Sequence, residues 1–242
     1  MKVFVGTSGW YYDWNTELSL DWYVENSRLN AIELNASFYR FPFPNQVRFW
    51  SKKGKCLHWV IKVNCLITHR FKFSEKSYKT WQKFQRLFSP LEPLIDYYLF
   101  QLPPNFSTEK IEKLERFIKL SNVSEKFALE PRNESWFTKK IIDWAKRLGI
   151  TWVAIDSPQF SREIYKTTKN IYLRMLGRTD WYRHNYSKRE LAEIARRIIR
   201  KKPKHIYIFF NNNHHMLENA QQMREILKTK KYNASKSSST IF

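Results

Sequence analysis

The sequence predicts an α/β fold, a single (β/α)8 barrel of the TIM type. Eight short apolar runs recur along its 242 residues, each ending in polar or charged residues. The stretches between several of them carry apolar residues at helical spacing. The length also suits one such barrel of roughly 250 residues, whose chemistry sits at the C-terminal ends of its strands.

The predicted strands are Lys2–Gly6, Asn30–Asn35, Leu57–Asn64, Asp96–Gln101, Lys126–Arg132, Ile150–Asp156, Asn170–Arg174 and His205–Asn211. Their tips supply Thr7, Glu33, Asn35, Lys62, Asn64, Gln101, Glu130, Arg132, Asp156, Arg174 and Asn211. After the third strand, Tyr78, Trp81, Phe84, Gln85 and Phe88 trace a helical stripe; after the fourth, Ile111, Leu114, Phe117, Ile118 and Leu120 do the same. Ile141, Ile142, Trp144, Ala145 and Leu148 follow the fifth, and Gly149 is a natural helix stop. Ser187 is placed to cap a helix bearing Leu191, Ile194, Ala195, Ile198 and Ile199. The basic residues between Lys188 and Lys204 read as the solvated side of that helix. A last helix is expected from about His215 to Lys228. Residues 1–228 would form the barrel domain, and 229–242 a flexible, basic, Ser/Lys-rich tail.

Lys and Arg number 43 against 22 Asp and Glu, a formal net charge of +21. Such a field favours encounter with polyanions, nucleic acid foremost. Cys56 and Cys65 bracket the third strand, where nine extended residues at about 3.3 Å each hold them roughly 30 Å apart, beyond the reach of a disulfide. No run approaches the ~18 apolar residues of a membrane span, and the chain is expected to be cytoplasmic. Its oligomeric state is not legible.

Side chains two apart on a strand share a face. Glu33 with Asn35, Lys62 with Asn64, and Glu130 with Arg132 therefore form same-side pairs. A charge on the outer face would meet apolar helix surface, so these pairs are expected to point into the barrel mouth, as an open site or as a closed ion-pair network. Trp10, Tyr11, Tyr12, Trp14, Phe38, Tyr39, Phe41, Phe43, Trp136, Phe137, Trp181 and Tyr182 lie on the following loops. With Arg40, Arg132, Arg178 and Arg183 they could wall a cationic groove suited to stacking bases. Glu33, His69, Glu130, Asp156, His184, His214 and His215 are the candidate donors for a divalent metal, without a short ligand motif to tie them. Paired carboxylates for sugar chemistry are the alternative. Lys62 reads as a phosphate ligand or as a nucleophile of lowered pKa.

Several of these residues fall in ordered motifs: GTSGWYYDW at Gly6–Trp14, IELNASFYR at Ile32–Arg40, ITH at Ile67–His69, FQLPPNF at Phe100–Phe106, LEPRNESW at Leu129–Trp136, and FFNNN with a later ENA at Phe209–Asn213 and Glu218–Ala220. Together they resemble the YecE-like family, domain of unknown function 72. The resemblance implies a TIM-type barrel similar to the xylose isomerase and apurinic endonuclease group, and it implies no established reaction. The family's motif residues correspond here to Thr7, Ser8, Trp10, Glu33, Asn35, Phe38, Tyr39, Lys62, Thr68, His69, Gln101, Glu130, Arg132, Trp136, Arg174, Asn211 and Asn212. The family's usual Arg-x-His-Gly after the seventh strand reads Arg174-Met175-Leu176-Gly177, so a role resting on that histidine has no residue to carry it here.

The leading expectation is a mouth that binds a phosphate-bearing polyanion, nucleic acid above all, with phosphodiesterase or endonuclease activity as its reaction. In this reading Lys62, Arg132 and Arg174 neutralise phosphate, Trp10, Tyr39 and Trp136 stack, and Glu33, Glu130 and Asp156 act as bases or metal ligands. Thr7, Asn35, His69, Gln101, Asn211 and Asn212 complete the binding set. The alternatives are an enzyme acting on a sugar or sugar phosphate, and a non-catalytic binding protein.

Overall fold

A computed structural model describes residues 1–238, with side chains through residue 229. Eight parallel strands close into a barrel in sequence order. They are β1 (Lys2–Thr7), β2 (Ala31–Leu34), β3 (His58–Lys62), β4 (Ile95–Gln101), β5 (Phe127–Glu130), β6 (Thr151–Asp156), β7 (Asn170–Met175) and β8 (His205–Phe210). The closing pair, β1 with β8, runs in register from Lys2 opposite His205 to Thr7 opposite Phe210. Closure leaves no exposed strand edge among them.

The helices between them are α1 (Leu20–Asn26), α2 (Pro44–Lys53), α3 (Glu75–Phe88), α4 (Ile111–Ser121), α5 (Lys139–Arg147), α6 (Lys188–Arg200) and α7 (Met216–Ser238). Each buries one stripe against the barrel: Trp81, Phe84 and Phe88 from α3, Leu114 and Phe117 from α4, Ile141, Ile142, Trp144 and Ala145 from α5. Leu120, expected on the α4 stripe, is turned outward and 48% exposed. Gly149 takes φ +66° just past α5, the left-handed turn that an L side chain resists. Ser187 and Glu190 make a reciprocal capping box at the start of α6, and Lys188, Arg189, Arg196 and Arg200 lie exposed along it. No helix joins β6 to β7. That connection instead folds back through Thr167, which donates to the Ile150 carbonyl and accepts from the Trp152 amide.

The last helix runs ten residues beyond the expected Lys228, to Ser238; the rest of the expected tail, 239–242, lies outside the described residues. No described helix is long and apolar enough to cross a membrane. Cys56 and Cys65 are both free.

Strand alternation divides the structure into two cores. Outward residues join the large core beneath the helices. Inward residues Phe4, Ala31, Val60, Tyr97, Leu99, Ala128, Val153, Tyr172, Tyr207 and Phe209 fill the barrel itself. Gly6 sits among the inward positions because a Cβ there would come within 2.1 Å of the Ala31 carbonyl oxygen. Above this apolar plug the next inward positions are Ser8, Glu33, Lys62, Gln101, Glu130, Arg174 and Asn211, with the apolar Ile155 of β6 as the eighth. The barrel thus turns from apolar to ionic within one layer.

Candidate functional site

Arg174 is the centre of the ionic layer, 1% exposed and between two fully buried glutamates. Its Nε donates to Glu33 Oε2 at 2.9 Å and its Nη2 to Glu33 Oε1 at 2.6 Å, while Nη1 donates to Glu130 Oε2 at 2.7 Å. Tyr172 and Ser8 complete the coordination of Glu33, at 2.6 Å and 2.5 Å. Glu130 Oε1 accepts from Arg132 Nε at 2.7 Å and from Gln101 Nε2 at 2.9 Å. Burial opposes the ionised form of Glu130, but the charges of Arg132, Arg174 and Lys62 bring its pKa down to about 2. Burial likewise opposes the charge of Arg174, and the two glutamates overcome it. The oxygens of both carboxylates are therefore taken by hydrogen-bond donors, which removes them as free proton acceptors.

Two cations stand at the edge of this network with capacity left over. Arg132 Nη2 lies 2.6 Å from Glu130 Oε1 but off the hydrogen-bond direction, and this buried nitrogen has no hydrogen-bond partner. The guanidinium rests against Trp181 at 5.0 Å from the ring centroid and near Phe160 at 6.0 Å. Lys62, at the C-terminal end of β3, is only 6% exposed and no described side chain pairs with its ammonium. Its nearest favourable contact is the Phe38 ring, whose centroid lies 4.2 Å from Nζ. Burial and the neighbouring Arg174 charge outweigh the two glutamates and bring Lys62 down to about 7. With Glu33 and Glu130 balanced by Arg174 and Arg132, the Lys62 charge has no counterion.

His69 sits on a single π-helical turn, Leu66–Arg70, directly after β3. Its Nδ1 is 2.8 Å from the Thr68 hydroxyl, and its ring meets the Phe38 ring edge-on at 4.9 Å. Burial, then the charges of Lys62 and Arg132, lower it to about 4, so the imidazole is neutral at neutral pH.

Beside the mouth, between the β1 and β2 loops and α2, lies a cleft of about 960 Å³. Ser8 and Asn35 join it to the ionic layer; Trp10, Tyr12, Tyr39 and Trp50 are among its aromatic walls. Trp10 is fixed edge-on against Trp50 and Trp59, whereas Tyr39 is 72% exposed. Asn35 Oδ1 is buried without a hydrogen-bond partner.

Other expected site residues lie elsewhere. Trp136 is fully buried and its indole donates to the Phe106 carbonyl at 2.7 Å, so it has no face free for stacking. Thr7 and Asp156 have outward parity. Thr7 bonds the Gly9 carbonyl and the Tyr23 hydroxyl. Asp156 accepts from Arg178 at 3.0 Å and Tyr186 at 3.1 Å, a cluster that anchors the β7–α6 connection and stands apart from Glu33 and Glu130. Asn64 and Asn212 also serve the scaffold: Asn64 bridges the Ser37 carbonyl and the Leu66 amide, and Asn212 donates to His184 and Asn219. Asn211 remains at the mouth, 8% exposed. Arg174, expected to meet phosphate, is enclosed by its own glutamates.

Sequence reasoning left Ser8 out of the binding set although it donates to Glu33. The signal was strand parity: Ser8, two residues past the inward Gly6, faces the lumen where Thr7 does not. A divalent metal does not fit the residues present. No group of three or more His, Cys, Asp and Glu side chains converges among the described residues, and arginines already occupy the glutamates.

The family model for the protein of unknown function DUF72 matches residues 4–240, and the chain belongs to this family. A DUF72 family protein from Thermotoga maritima is 26% identical, with 94% of this chain and 100% of that chain covered at a TM-score of 0.83. One from Enterococcus faecalis is 21% identical, covering 93% and 95% at 0.82. A D-psicose 3-epimerase from Clostridium cellulolyticum shares the barrel at 10% identity, covering 96% and 99% at 0.59, a likeness of fold alone. No curated protein matches the chain.

Proposed function

We propose that this DUF72 barrel binds a phosphate-bearing ligand at its mouth, nucleic acid or a fragment of it, with Lys62 and Arg132 taking the phosphate and the aromatic cleft taking a base or sugar. The observation that supports this most is the pair of cationic side chains with capacity left over beside carboxylates that are already saturated: Lys62, 6% exposed with no ion pair among the described residues, and Arg132, whose buried Nη2 has no hydrogen-bond partner. An anion supplies what both lack, and the cost of keeping a cation buried without a partner falls when it binds. The exposed Tyr39 on the wall of the adjoining cleft offers a planar surface at the distance of a loop rather than of a domain. The formal charge of +21 adds long-range attraction for a polyanion. Phosphodiester hydrolysis draws no support from Glu33 and Glu130, because a general base needs a lone pair that arginine has not taken.

Equilibrium binding of single- and double-stranded oligonucleotides across a salt series tests the reading. Affinity should fall steeply as salt rises, with the slope reduced by about one for Lys62→Met if Lys62 contacts one phosphate. Absence of binding at low salt, or binding with an unchanged slope in the variant, would contradict it.

A further inference from the structure

We infer that Lys62 is an amine nucleophile which condenses with the carbonyl group of a small phosphate-bearing aldehyde or ketone. This rests on the anion reading above and names a substrate class for the same site. Lys62 is held at the end of β3, 6% exposed, with no ion-paired carboxylate among the described residues and with its Nζ 4.2 Å from the Phe38 ring centroid. Burial and the Arg174 charge favour its free-base form, bringing it to about 7, so an appreciable share is an unprotonated amine at neutral pH. Of the two cations of the anion reading, Arg132, with a buried Nη2 donor unused, keeps the phosphate while Lys62 turns to the carbonyl. The neutral His69, oriented through its Nδ1 by Thr68 and packed on the same Phe38 ring, supplies a base that can take and return a proton.

The step balances without an oxidant or reductant. The Nζ lone pair adds to the carbonyl carbon, the carbonyl π electrons move to oxygen, and one proton shifts from nitrogen to that oxygen, giving a carbinolamine. A second proton passes from nitrogen to that oxygen by way of His69, the C–O bond breaks, water leaves, and a C=N bond joins Nζ to the former carbonyl carbon. The phosphate group is unchanged.

Trapping with glycolaldehyde phosphate and cyanoborohydride, which delivers hydride to the imine carbon, tests this on the intact protein. Intact-mass and peptide mapping should find the reduced adduct on Lys62, formed at least about tenfold faster at pH 7.5 than on surface lysines, whose ordinary pKa near 10.4 leaves them almost wholly protonated. Inorganic phosphate should slow the reaction, unphosphorylated glycolaldehyde should react more slowly, and Lys62→Arg, which keeps the charge, should lose the adduct. Labelling of Lys62 no faster than of surface lysines would overturn the inference. If inorganic phosphate binds competitively with oligonucleotide yet no Lys62 adduct forms, the carbonyl inference falls and the anion reading stands. If glycolaldehyde labels Lys62 as fast as its phosphate does, and inorganic phosphate does not compete, the phosphate requirement falls while the reactive amine remains.

Discussion

The centre and the edge of the ionic layer, Arg174 at the one and Lys62 with Arg132 at the other, are built from the same residue types and reach opposite states. Arg174 is enclosed by two carboxylates that return its charge through three short hydrogen bonds. Lys62, the inward residue at the end of β3, is almost as buried and has no such partner among the described residues. What separates them is the supply of acceptors: Glu33 and Glu130 are the only two carboxylates of this layer, and Arg174, Arg132, Tyr172, Ser8 and Gln101 already claim their oxygens. The centre is a closed scaffold and the edge is an incomplete one. An incomplete, cationic, desolvated edge is where a ligand gains most from binding.

Stability measurements should break the comparison most forcefully. Arg174→Met leaves two buried carboxylates uncompensated and is expected to cost about 3–5 kcal/mol in urea unfolding. Lys62→Met removes an unpaired buried cation and should change stability by no more than about 1 kcal/mol, or raise it. Equal losses from both would mean that Lys62 belongs to the closed scaffold.

The centre and the edge also carry opposite pH signatures. Glu130 is lowered from the ordinary 4.5 to about 2, so its stabilisation is present above pH 4.5 and is lost as pH falls toward 2. Integrated over that window this amounts to roughly 3 kcal/mol, which Glu130→Gln should abolish from the pH dependence. Lys62 is lowered from 10.5 to about 7. Between those values the unfolded chain holds a proton that the folded chain does not, so stability contributed by this site rises with pH. Unfolding free energies from pH 6 to 10 should therefore climb more in the natural protein than in Lys62→Met; parallel curves would show that burial does not depress Lys62.

A last contrast lies between two aromatic residues of different motifs, Trp136 and Tyr39, and its binding effect is the smallest expected. Trp136→Ala should unfold the protein by about 3–5 kcal/mol through cavity formation. Tyr39→Ala should leave stability within about 0.5 kcal/mol and weaken oligonucleotide binding by about 1 kcal/mol, near the low end for a lost stacking partner. Calorimetry and binding titration on both variants separate a core tryptophan from a ligand-facing tyrosine. Unchanged binding by Tyr39→Ala would remove the cleft from the site.

Much of this was legible in the sequence because periodicity is a local property. The eight strands, the α3 and α5 stripes, the Ser187 cap and the convergence of Glu33, Lys62, Glu130, Arg132 and Arg174 follow from alternation and strand ends. Parity could also have placed Thr7 and Asp156 on the outer face, had it been counted from the apolar interior rather than from the tips. Two matters were beyond the sequence. Which cations the glutamates would satisfy depends on distances across the barrel, between residues more than forty positions apart, such as Arg174 and Glu130. The burial of Trp136 depends on how its loop folds over Phe106, and a WF pair after a strand reads alike in a core and on a binding wall. The absence of a helix between β6 and β7 shows the same limit, because Thr167 secures that connection through bonds to Ile150 and Trp152.

The state of the Lys62 amine tests the account most directly. NMR detection of the Lys62 side chain in selectively labelled protein, titrated with and without inorganic phosphate, should show a pKa near the value of about 7 that its burial and the Arg174 charge impose, moving upward when phosphate binds. A Lys62 that titrates in the ordinary lysine range and ignores phosphate would contradict the central claim that the barrel mouth holds an unpaired cation awaiting an anion.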